Sequence, residues 1–422
     1  MSEVIFNVNY GKGKLKFSIP ENNLIGVLRT SETEKLTDVE KNVRIALENP
    51  IGTKPLREIV QSGEKVVIVI NDITRVMGTD QFLPVIINYL NENGIPDDNI
   101  TLLVATGLHR AHTKDEHKYI IGDELYKRVK IVDHIGTDME NTDYIGTTKA
   151  GTEVYVNKLV TQADKVILTG EVTYHMAAGY TGGRKSVLPG VCNEKTINQN
   201  HLFMLDERAR SGQFENNPLH LDMLEAAQML NPDFIFNVVL DKDRDFVYMV
   251  GGDVEQAHKK GRDLVDKLFA AQINELADVV IANCGGYPKD IEFYQSQKTL
   301  DNAIRAVKEG GTVILLAACT EGVGSKLFHD IMKNHSTPEE AMKFSKENFR
   351  IGIHKAFLTS RLLAKAETIL ISELTDETVK ELMMRPAHSV EEALDYVRRK
   401  HGGDFTMYAM PEGFLTVPFY KK

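Results

Sequence analysis

The chain has 422 residues, 42% of them hydrophobic, and a formal net charge of −10 at pH 7. This length accommodates two or three globular domains, each with an apolar core. The acidic balance without a Lys/Arg-rich block argues against a nucleic-acid-binding role. No apolar run reaches the ~18 residues of a membrane span, and the opening residues lack an export-signal pattern, so we predict a cytoplasmic protein.

The first part of the chain predicts a hairpin followed by alternating strands and helices. Val4–Ile19 alternates apolar and polar residues around a Gly-Lys-Gly turn, as antiparallel hairpins do. Helical spacing is found at Thr37–Glu48 and Phe82–Asn93. Four apolar runs predict strands buried on both faces, namely Lys65–Asn71, Ile100–Ala105, Lys130–Asp133 and Lys165–Gly170. This order is typical of βαβ units and a parallel, doubly wound sheet.

The rest of the chain predicts a second unit of the same kind. Before it, the sequence predicts helices at Thr196–Arg210 and Leu219–Met229, a hairpin at Phe234–Met249, and a long helix, Val254–Leu276. Further strands and a helix are predicted at Ala277–Ala282, Gly310–Ala318, Thr368–Leu374 and Val390–His401. The predicted fold class is therefore α/β, with mostly parallel sheets in two domains, 1–272 and 273–402. We predict that the tail, 403–422, returns to the first domain.

Polar and titratable side chains follow several of the predicted strands. They are Asp72 and Arg75, His109 and Arg110, His175 and Lys185, and, after a Gly285-Gly286 turn, Tyr294, Gln295 and Lys298. Parallel strands gather their carboxyl ends at one sheet edge, where α/β proteins bind ligands. Arginine and lysine suit a carboxylate or phosphate, and histidines suit acid/base chemistry at neutral pH. The combination predicts an α/β enzyme with an anionic small-molecule substrate.

The stretch Glu171–Gly190 is the densest of these loops. Gly182 and Gly183 allow a close approach of backbone to a ligand, and an amine follows them at Lys185. Taken singly, the residues also fit structural roles: a solvated Arg-Lys pair, a hydrogen-bonded histidine, an Asx-turn after a strand, or a helix cap. The alternatives stay open at the level of single residues.

Spacing alone gives no metal or nucleotide motif. There is no H-E-x-x-H, and the three cysteines are too far apart for a cysteine-rich zinc site. The GGRKS sequence lacks the first glycine of a phosphate-binding loop, and no G-x-G-x-x-G follows an early strand. Nucleotide hydrolysis and ordinary NAD binding are therefore not predicted.

Five motifs taken together resemble a known family. They are NDITR at 71–75, ATGLHRAHT at 105–113, YHMAAGYTGGRKSVLPG at 174–190, NQNH at 198–201 and YQSQK at 294–298. In this order and at these intervals the chain resembles the nickel-pincer lactate racemase family over about residues 60 to 365. The resemblance implies two α/β domains with a cofactor and an active site in the cleft between them.

The resemblance also implies a cofactor, nickel held by a pyridinium-3,5-bisthiocarboxylic acid mononucleotide, the nickel-pincer nucleotide. Lys185 would tether it covalently beside Gly182, Gly183 and Arg184, and His201 would bind nickel. His109 and His175 would be the acid/base pair. The substrate would contact Asp72, Arg75, Tyr294, Gln295 and Lys298. The implied reaction is inversion of a 2-hydroxy acid by proton-coupled hydride transfer through a 2-keto acid, and enzymes that make and load the cofactor are the implied partners.

One departure bears on the substrate. Family members that act on lactate carry a tryptophan shortly after the segment matching His354-Lys355-Ala356, whereas this chain has no tryptophan and has Phe357 and Leu358 there. Leu108 also replaces a small polar residue. The alternative substrates are malate, a longer or aromatic 2-hydroxy acid, or a sugar acid. Two alternative classes are a non-catalytic protein that binds the cofactor or a nucleotide, and a lyase or dehydrogenase with Lys185 as a Schiff base.

Overall fold

A computed structural model of the chain describes residues 2–420, which divide into two compact units. The central unit is Glu32–Leu268, and the terminal unit combines Met1–Ser31 with Phe269–Lys422. Each contains a six-stranded sheet with a core of its own. The predicted α/β class with mostly parallel sheets is confirmed.

Strands and helices are numbered in chain order. The strands are β1 (Glu3–Tyr10), β2 (Gly13–Pro20), β3 (Leu24–Val27), β4 (Val66–Asn71), β5 (Ile100–Ala105), β6 (Lys130–Asp133), β7 (Thr142–Thr147), β8 (Glu153–Asn157), β9 (Lys165–Glu171), β10 (Tyr174–His175), β11 (Gly179–Tyr180), β12 (Phe234–Leu240), β13 (Phe246–Gly252), β14 (Ala270–Ile273), β15 (Ala277–Asn283), β16 (Val307–Leu316), β17 (Glu367–Ile371), β18 (Arg385–Ala387), β19 (Met407–Met410) and β20 (Val417–Tyr420). The helices are α1 (Val39–Glu48), α2 (Leu56–Ile59), α3 (Thr79–Glu92), α4 (Lys114–Ile121), α5 (Asp123–Arg128), α6 (Lys158–Thr161), α7 (Glu194–His201), α8 (Pro218–Leu230), α9 (Gln256–Phe269), α10 (Phe293–Ala303), α11 (Lys326–Lys333), α12 (Pro338–Glu347), α13 (His354–Lys365), α14 (Asp376–Glu381) and α15 (Val390–His401). Within residues 2–420, none of these helices is both long enough and apolar enough to cross a bilayer.

The sheet of the central unit has the order β13-β12-β9-β4-β5-β6. Its strands run parallel except for β13, which pairs antiparallel with β12. β4 lies between β9 and β5, with Val69 opposite Leu168 and Asn71 opposite Ala105. The turns after β9, β4 and β5 therefore leave the same edge of the sheet from neighbouring strands.

Burial explains why the central strands read as continuous apolar runs. In β4, Val66, Ile68 and Ile70 face a core that includes Phe82 of α3, and the intervening valines are buried as well. A strand covered on both faces has no polar side and so shows no alternation. This packing fixes the position of the carboxyl ends of the strands, where the polar turns begin.

The terminal unit has an all-parallel sheet in the order β18-β17-β16-β15-β19-β3. One core packs α10, α11 and α13 on one side of it, with Phe293 and Phe328 buried. A second core packs α15 and the β1–β2 hairpin, whose Phe6 and Phe17 stack at 5.3 Å. The predicted hairpin is confirmed, and it covers a sheet face.

The division of the chain differs from the predicted domains at both ends. The prediction assigned residues 1–272 to one domain and returned the tail, 403–422, to it. Instead, residues 1–31 and the tail both lie in the terminal unit. The physical reason is strand pairing: β19 pairs with β15 and β3, and β20 pairs with β14.

Two predicted helices are too long. Val254–Leu276 was predicted as one helix, but α9 ends at Phe269 because Ala270–Ile273 pairs with β20 as a strand. The helix predicted at Thr196–Arg210 begins at Glu194, where the Asn193 side chain accepts the Thr196 N–H, and ends at His201. The end of α9 thus depends on a partner strand remote in sequence, and the start of α7 depends on a capping side chain.

We predict that Phe82→Ala lowers the free energy of unfolding by about 3–5 kcal/mol, the usual cost of emptying an aromatic core position. Phe82 is fully buried and its ring lies 5.1 Å from that of Phe236. Urea unfolding of the apoprotein measures the change. Tyr119→Ala, at a side chain that is 63% exposed, is the control and should cost under about 0.5 kcal/mol. Equal losses in the two variants would contradict this packing.

Candidate active site

The turns after β4 and β5 are joined by a carboxylate–imidazole hydrogen bond. Asn71 and Ala105 are paired at the strand ends, so Asp72 and His109 follow on adjacent turns. Asp72 Oδ2 lies 2.5 Å from His109 Nδ1. The Asp72 side chain is buried at 4% exposure, whereas that of His109 is 55% exposed. A buried carboxylate thus orients an imidazole that faces solvent.

The same hydrogen bond assigns the tautomer of His109. An ionised carboxylate only accepts, so Nδ1 carries the hydrogen and Nε2 keeps its lone pair. Burial raises the pKa of Asp72, but hydrogen bonds from His109 and Thr74 and the charges of His109 and Arg75 leave it below its ordinary value. Asp72 is therefore ionised at neutral pH, and His109 presents Nε2 as a proton acceptor.

His175 has the opposite tautomer. It ends β10, and the backbone N–H groups of Ala177 and Ala178 donate to its Nδ1 at 3.2 and 3.0 Å. Nδ1 therefore holds the lone pair, and the neutral ring carries its hydrogen on Nε2. Burial lowers the pKa of His175 well below its ordinary value, and so do the charges of its neighbours Lys185, Arg75, Arg184 and His201. His175 is neutral at physiological pH.

Arg184 supports the loop that holds His175. Its side chain is completely buried, and its guanidinium donates to the carbonyl oxygens of Ala178 at 2.8 Å and Gly182 at 3.3 Å. Burial and the charge of Arg262 lower the pKa of Arg184 to about 9. The guanidinium therefore holds Ala178 in place, and the N–H of Ala178 donates to His175 Nδ1. That Arg184 contacts a cofactor remains a prediction.

The glycine pair allows a close approach of backbone to the sheet. Gly182 and Gly183 have φ of 76° and 53°, in the left-handed region. The Gly183 N–H donates to Asn237 Oδ1 at 3.1 Å, and a Cβ on Gly183 would lie 3.0 Å from the His258 ring. The pair therefore packs against the protein on both sides. This packing sets the position of the residue that follows Arg184.

Lys185 is half-buried, at the end of this loop. Burial lowers its pKa well below the ordinary value, and the charges of Arg184 and Arg75 lower it further. A lowered pKa favours the unprotonated amine, which is the nucleophilic form of a lysine. His201, the last residue of α7, is also half-buried and is among the charges acting on His175. The central unit thus brings together its predicted site residues Asp72, Arg75, His109, His175, Gly182, Gly183, Arg184, Lys185 and His201 around neighbouring strand ends.

The remaining predicted residues lie in the terminal unit. Tyr294, Gln295 and Lys298 occupy the first two turns of α10, where positions three and four apart share a face. Lys298 Nζ lies 4.5 Å from the ring centroid of Phe414, and the Tyr294 carbonyl accepts from Lys355 Nζ at 3.0 Å. These three side chains follow β15 as those of the central unit follow their strands.

Comparison with known proteins decides the family. The lactate racemase N-terminal domain family matches residues 10–212, and the lactate racemase C-terminal domain family matches residues 273–417. The chain belongs to the lactate racemase family. It is therefore an isomerase of the racemase class.

Two lactate racemases are similar over nearly their whole length. The one from Thermoanaerobacterium thermosaccharolyticum is 34% identical over 97% of this chain and 98% of its own. The one from Lactiplantibacillus plantarum is 32% identical over the same shares. The structure of the lactate racemase apoprotein from T. thermosaccharolyticum superposes with a TM-score of 0.91 at 33% identity, covering 99% of this chain and all of that one. A Thermotoga maritima protein, 16% identical, shares the fold with a TM-score of 0.65 over 93% of this chain and all of its own.

Within this lactate racemase family member, the position where the sequence departs from the expected tryptophan is a buried one. Phe357 and Leu358 lie on α13 and are 5% and 3% exposed. Arg361 lies with its Cζ 5.6 Å from the Phe357 ring centroid. Both apolar side chains are thus shielded from solvent.

Sequence reasoning missed several residues around the site. His112 is in the quoted motif after β5 but received no role, and its partner Asp133 ends β6. No motif spacing suggested a role for His258. Its Nε2 lies 2.7 Å from the carbonyl oxygen of Thr181, beside the glycine pair. A carboxylate at the end of a predicted parallel strand was the one signal available for Asp133. Nothing local marks His258, because it reaches the loop from α9.

We predict opposite neutral tautomers for the two histidines of this racemase, hydrogen on Nδ1 in His109 and on Nε2 in His175. Because the pKa of folded His175 is lowered, only the unfolded chain binds its proton just below pH ~6.5, so this group makes falling pH destabilising there. Nitrogen-15 correlation spectra of histidine-labelled apoprotein, titrated over about pH 5 to 8, report both features. A His175 that gains a proton above pH 6 in that titration would contradict the assignment.

Proposed function

We propose that this chain racemises a 2-hydroxy acid by proton-coupled hydride transfer through a 2-keto acid. The observation that carries the proposal is the pair of imidazoles with opposite tautomers on loops of one sheet edge, beside a lysine with a lowered pKa. An imidazole with an open Nε2 lone pair takes a hydroxyl proton, and one with hydrogen on Nε2 faces the alkoxide as a donor. The two similar proteins called lactate racemases support the same reaction class.

A hydride route suits this substrate class. The α-hydrogen of a 2-hydroxy acid is a very weak acid, so a histidine alone is too weak a base to remove it as a proton. Removal of the hydroxyl proton by His109 instead favours departure of the α-hydrogen with its electron pair, which leaves a planar 2-keto acid. Return of that hydrogen to the other face, with the proton that His109 removed returned to oxygen, gives the enantiomer. Atoms and electrons balance over the cycle.

The residues present fit the nickel-pincer nucleotide as the hydride carrier. When bound, this group accepts and returns the hydride. The lowered pKa of Lys185 favours the unprotonated amine that a covalent tether needs, and the loop is held by Gly182, Gly183 and Arg184. His201 supplies an imidazole, which together with sulfur donors suits nickel. The proposal includes the enzymes that make and load this cofactor as partners, and the cytoplasm as the location.

The chain's own residues divide the remaining work. Asp72 holds the His109 ring and stabilises it once it is protonated, as a buried carboxylate does for a base. Arg75 is exposed at the same turn and is proposed to bind the substrate carboxylate in a bidentate manner. Tyr294, Gln295 and Lys298 are proposed to complete the substrate contacts. A fixed carboxylate keeps the keto acid in place while its carbonyl turns.

His175 carries a constraint of its own. A second hydrogen, on Nδ1, would point at the N–H groups of Ala177 and Ala178. The ring therefore has to flip, or its loop has to shift, before His175 serves as a base in the reverse direction. The two histidines are unequal in the resting chain, although a racemase uses both.

We predict activity of the cofactor-loaded protein on at least one 2-hydroxy acid. A panel of enantiopure lactate, malate, longer aliphatic, aromatic and sugar acids, followed by chiral chromatography, identifies it. Lactate is the reference because the relatives are lactate racemases, and the missing tryptophan is the reason to include larger acids. Loaded protein that racemises none of them would overturn the proposal.

His109→Gln should lower kcat by about 10²–10⁴, the usual contribution of a general base, with the amount of bound nickel unchanged. His388→Gln, at an exposed histidine side chain of the terminal unit, is the matched control and should keep the wild-type rate. A His109→Gln protein as active as the control would remove the base from this account.

Intact-protein mass spectrometry tests the tether. Co-expression with the cofactor-making enzymes should add mass to the wild type and to Lys195→Ala, a control at a half-exposed lysine that pairs with Glu153. Lys185→Ala should carry no added mass. A covalent adduct that persists in Lys185→Ala would contradict the proposed attachment.

A further inference from the structure

We propose that His112 and Asp133 are positioning residues that fix the Asp72–Arg75 turn beside His109. The inference deepens the proposed function, since that turn carries the proposed base partner and the proposed carboxylate-binding arginine. Neither residue contacts the reacting groups itself. Both act through the backbone of Ile73.

His112 bridges three elements from a buried position. Its side chain is 2% exposed, and that of Asp133 is 10% exposed. The Ile73 N–H, in the turn after β4, donates to His112 Nε2 at 3.1 Å. His112 Nδ1 lies 2.8 Å from Asp133 Oδ1, at the end of β6, and the His112 N–H donates to Asp133 Oδ2 at 2.9 Å. The imidazole thus joins the ends of β4 and β6 through the loop after β5.

His112 anchors a turn that has no side-chain cap. Asp72 precedes the short 3-10 turn Ile73–Arg75 and stands where a side chain ordinarily accepts the N–H of the second or third residue, yet it makes no capping hydrogen bond. Its carboxylate is used by His109 and by the Thr74 hydroxyl. His112 instead accepts the N–H of Ile73, the first residue of the turn. The Asp72 carboxylate therefore serves His109 and Thr74, while His112 anchors the start of the turn.

The position of His112 is itself rigid. Thr113 caps α4, and Thr113 and Glu116 form a reciprocal capping box directly after His112. His117, on the first turns of α4, places Nε2 3.1 Å from Asp133 Oδ1. Burial raises the pKa of Asp133, but hydrogen bonds from His117 and His112 leave it below its ordinary value. The carboxylate is thus ionised and acts only as an acceptor.

The proton positions favour this role over a metal centre. His112, His117 and Asp133 have ligand atoms within 4.8 Å of one another, a spacing open to a cation. A cation on His112 Nδ1 would leave the hydrogen of the neutral ring on Nε2, pointing at the Ile73 N–H. With Nδ1–H donating to Asp133, every group has a complementary partner. The cluster is therefore a hydrogen-bonded support.

Two substitutions at His112 separate its two nitrogens. In His112→Gln the side-chain oxygen reaches the place of Nε2 and keeps an acceptor for Ile73. In His112→Asn the amide mimics Nδ1 only, so the acceptor is lost. Asp133→Asn is a third variant, because an amide that donates to Nδ1 moves the hydrogen to Nε2. His329→Asn, which breaks a histidine–carboxylate pair with Glu381 in the terminal unit, is the matched control.

Hydrogen–deuterium exchange of the apoprotein measures the protection of the backbone N–H groups of the turn and needs no cofactor. We expect exchange of residues 71–76 to be about three- to tenfold faster in His112→Asn and Asp133→Asn, the range for one lost hydrogen bond, and close to wild type in His112→Gln and the control. A His112→Asn protein in which residues 71–76 exchange at the wild-type rate would overturn the inference. So would a His112→Gln protein in which they exchange as fast as in His112→Asn. If His112→Asn does not fold, Asp133→Asn against His112→Gln decides by the same criterion.

The loaded enzyme gives the second readout. KM should rise and kcat/KM should fall by about tenfold in His112→Asn with nickel content unchanged, and His112→Gln should recover most of the loss. A fall in His112→Gln equal to that in His112→Asn would overturn the positioning role. If wild-type protein racemises nothing, the proposed function fails, whereas the exchange experiment still judges whether His112 holds the turn.

Discussion

The candidate site depends on one constraint, the parallel pairing of β4 with β5 on one side and β9 on the other. Parallel strands require their connections to cross back over the sheet, so all three carboxyl ends fall at one edge. Register then decides which residues meet. Asn71 opposite Ala105 brings Asp72 to His109, and the Gly107 N–H donates to the Gly190 carbonyl at 3.0 Å, which joins the loop after β5 to the loop that holds Lys185. A slip of one residue would separate these partners.

The hydrogen bonds around that edge set the chemistry by setting proton positions. Three histidines on neighbouring loops have different hydrogen-bond partners. His109 contacts a buried carboxylate, His175 accepts from two backbone N–H groups, and His112 contacts one carboxylate and accepts from one backbone N–H. Each set of partners fixes which nitrogen carries the hydrogen. The His109 ring is thereby open to accept a proton, the His175 ring is held neutral, and the His112 ring supports the turn after β4. Burial of Lys185 and the charges of Arg184 and Arg75 work in the same direction, because they favour the unprotonated amine.

Much of the fold was predictable because its signals are local. The run at β5 was predicted to the residue, since a strand buried between neighbours is apolar along most of its length, and the bounds of the edge strand β6 were also predicted. Asp72, Arg75, His109, His175 and Lys185 were predictable as polar groups that follow strands, whereas His201, at the end of α7, was predicted only through the family resemblance. The position of residues 1–31 and of the tail was not, because β20 pairs with a strand 147 residues earlier in the chain and β19 pairs with β3, 383 residues earlier. His112 was missed for a related reason: its role depends on Ile73 and Asp133, and a histidine within a helix-capping sequence looks the same with or without them.

Racemisation in deuterium oxide tests the central claim most directly, because it follows the α-hydrogen itself. Cofactor-loaded protein is given one enantiomer of its 2-hydroxy acid, and the product enantiomer is examined by proton NMR and mass spectrometry. Hydride transfer within a closed cycle predicts a product that keeps its original α-hydrogen and takes up no deuterium at carbon. Product carrying α-deuterium in proportion to turnover would show exchange with solvent as a proton, and would contradict the account.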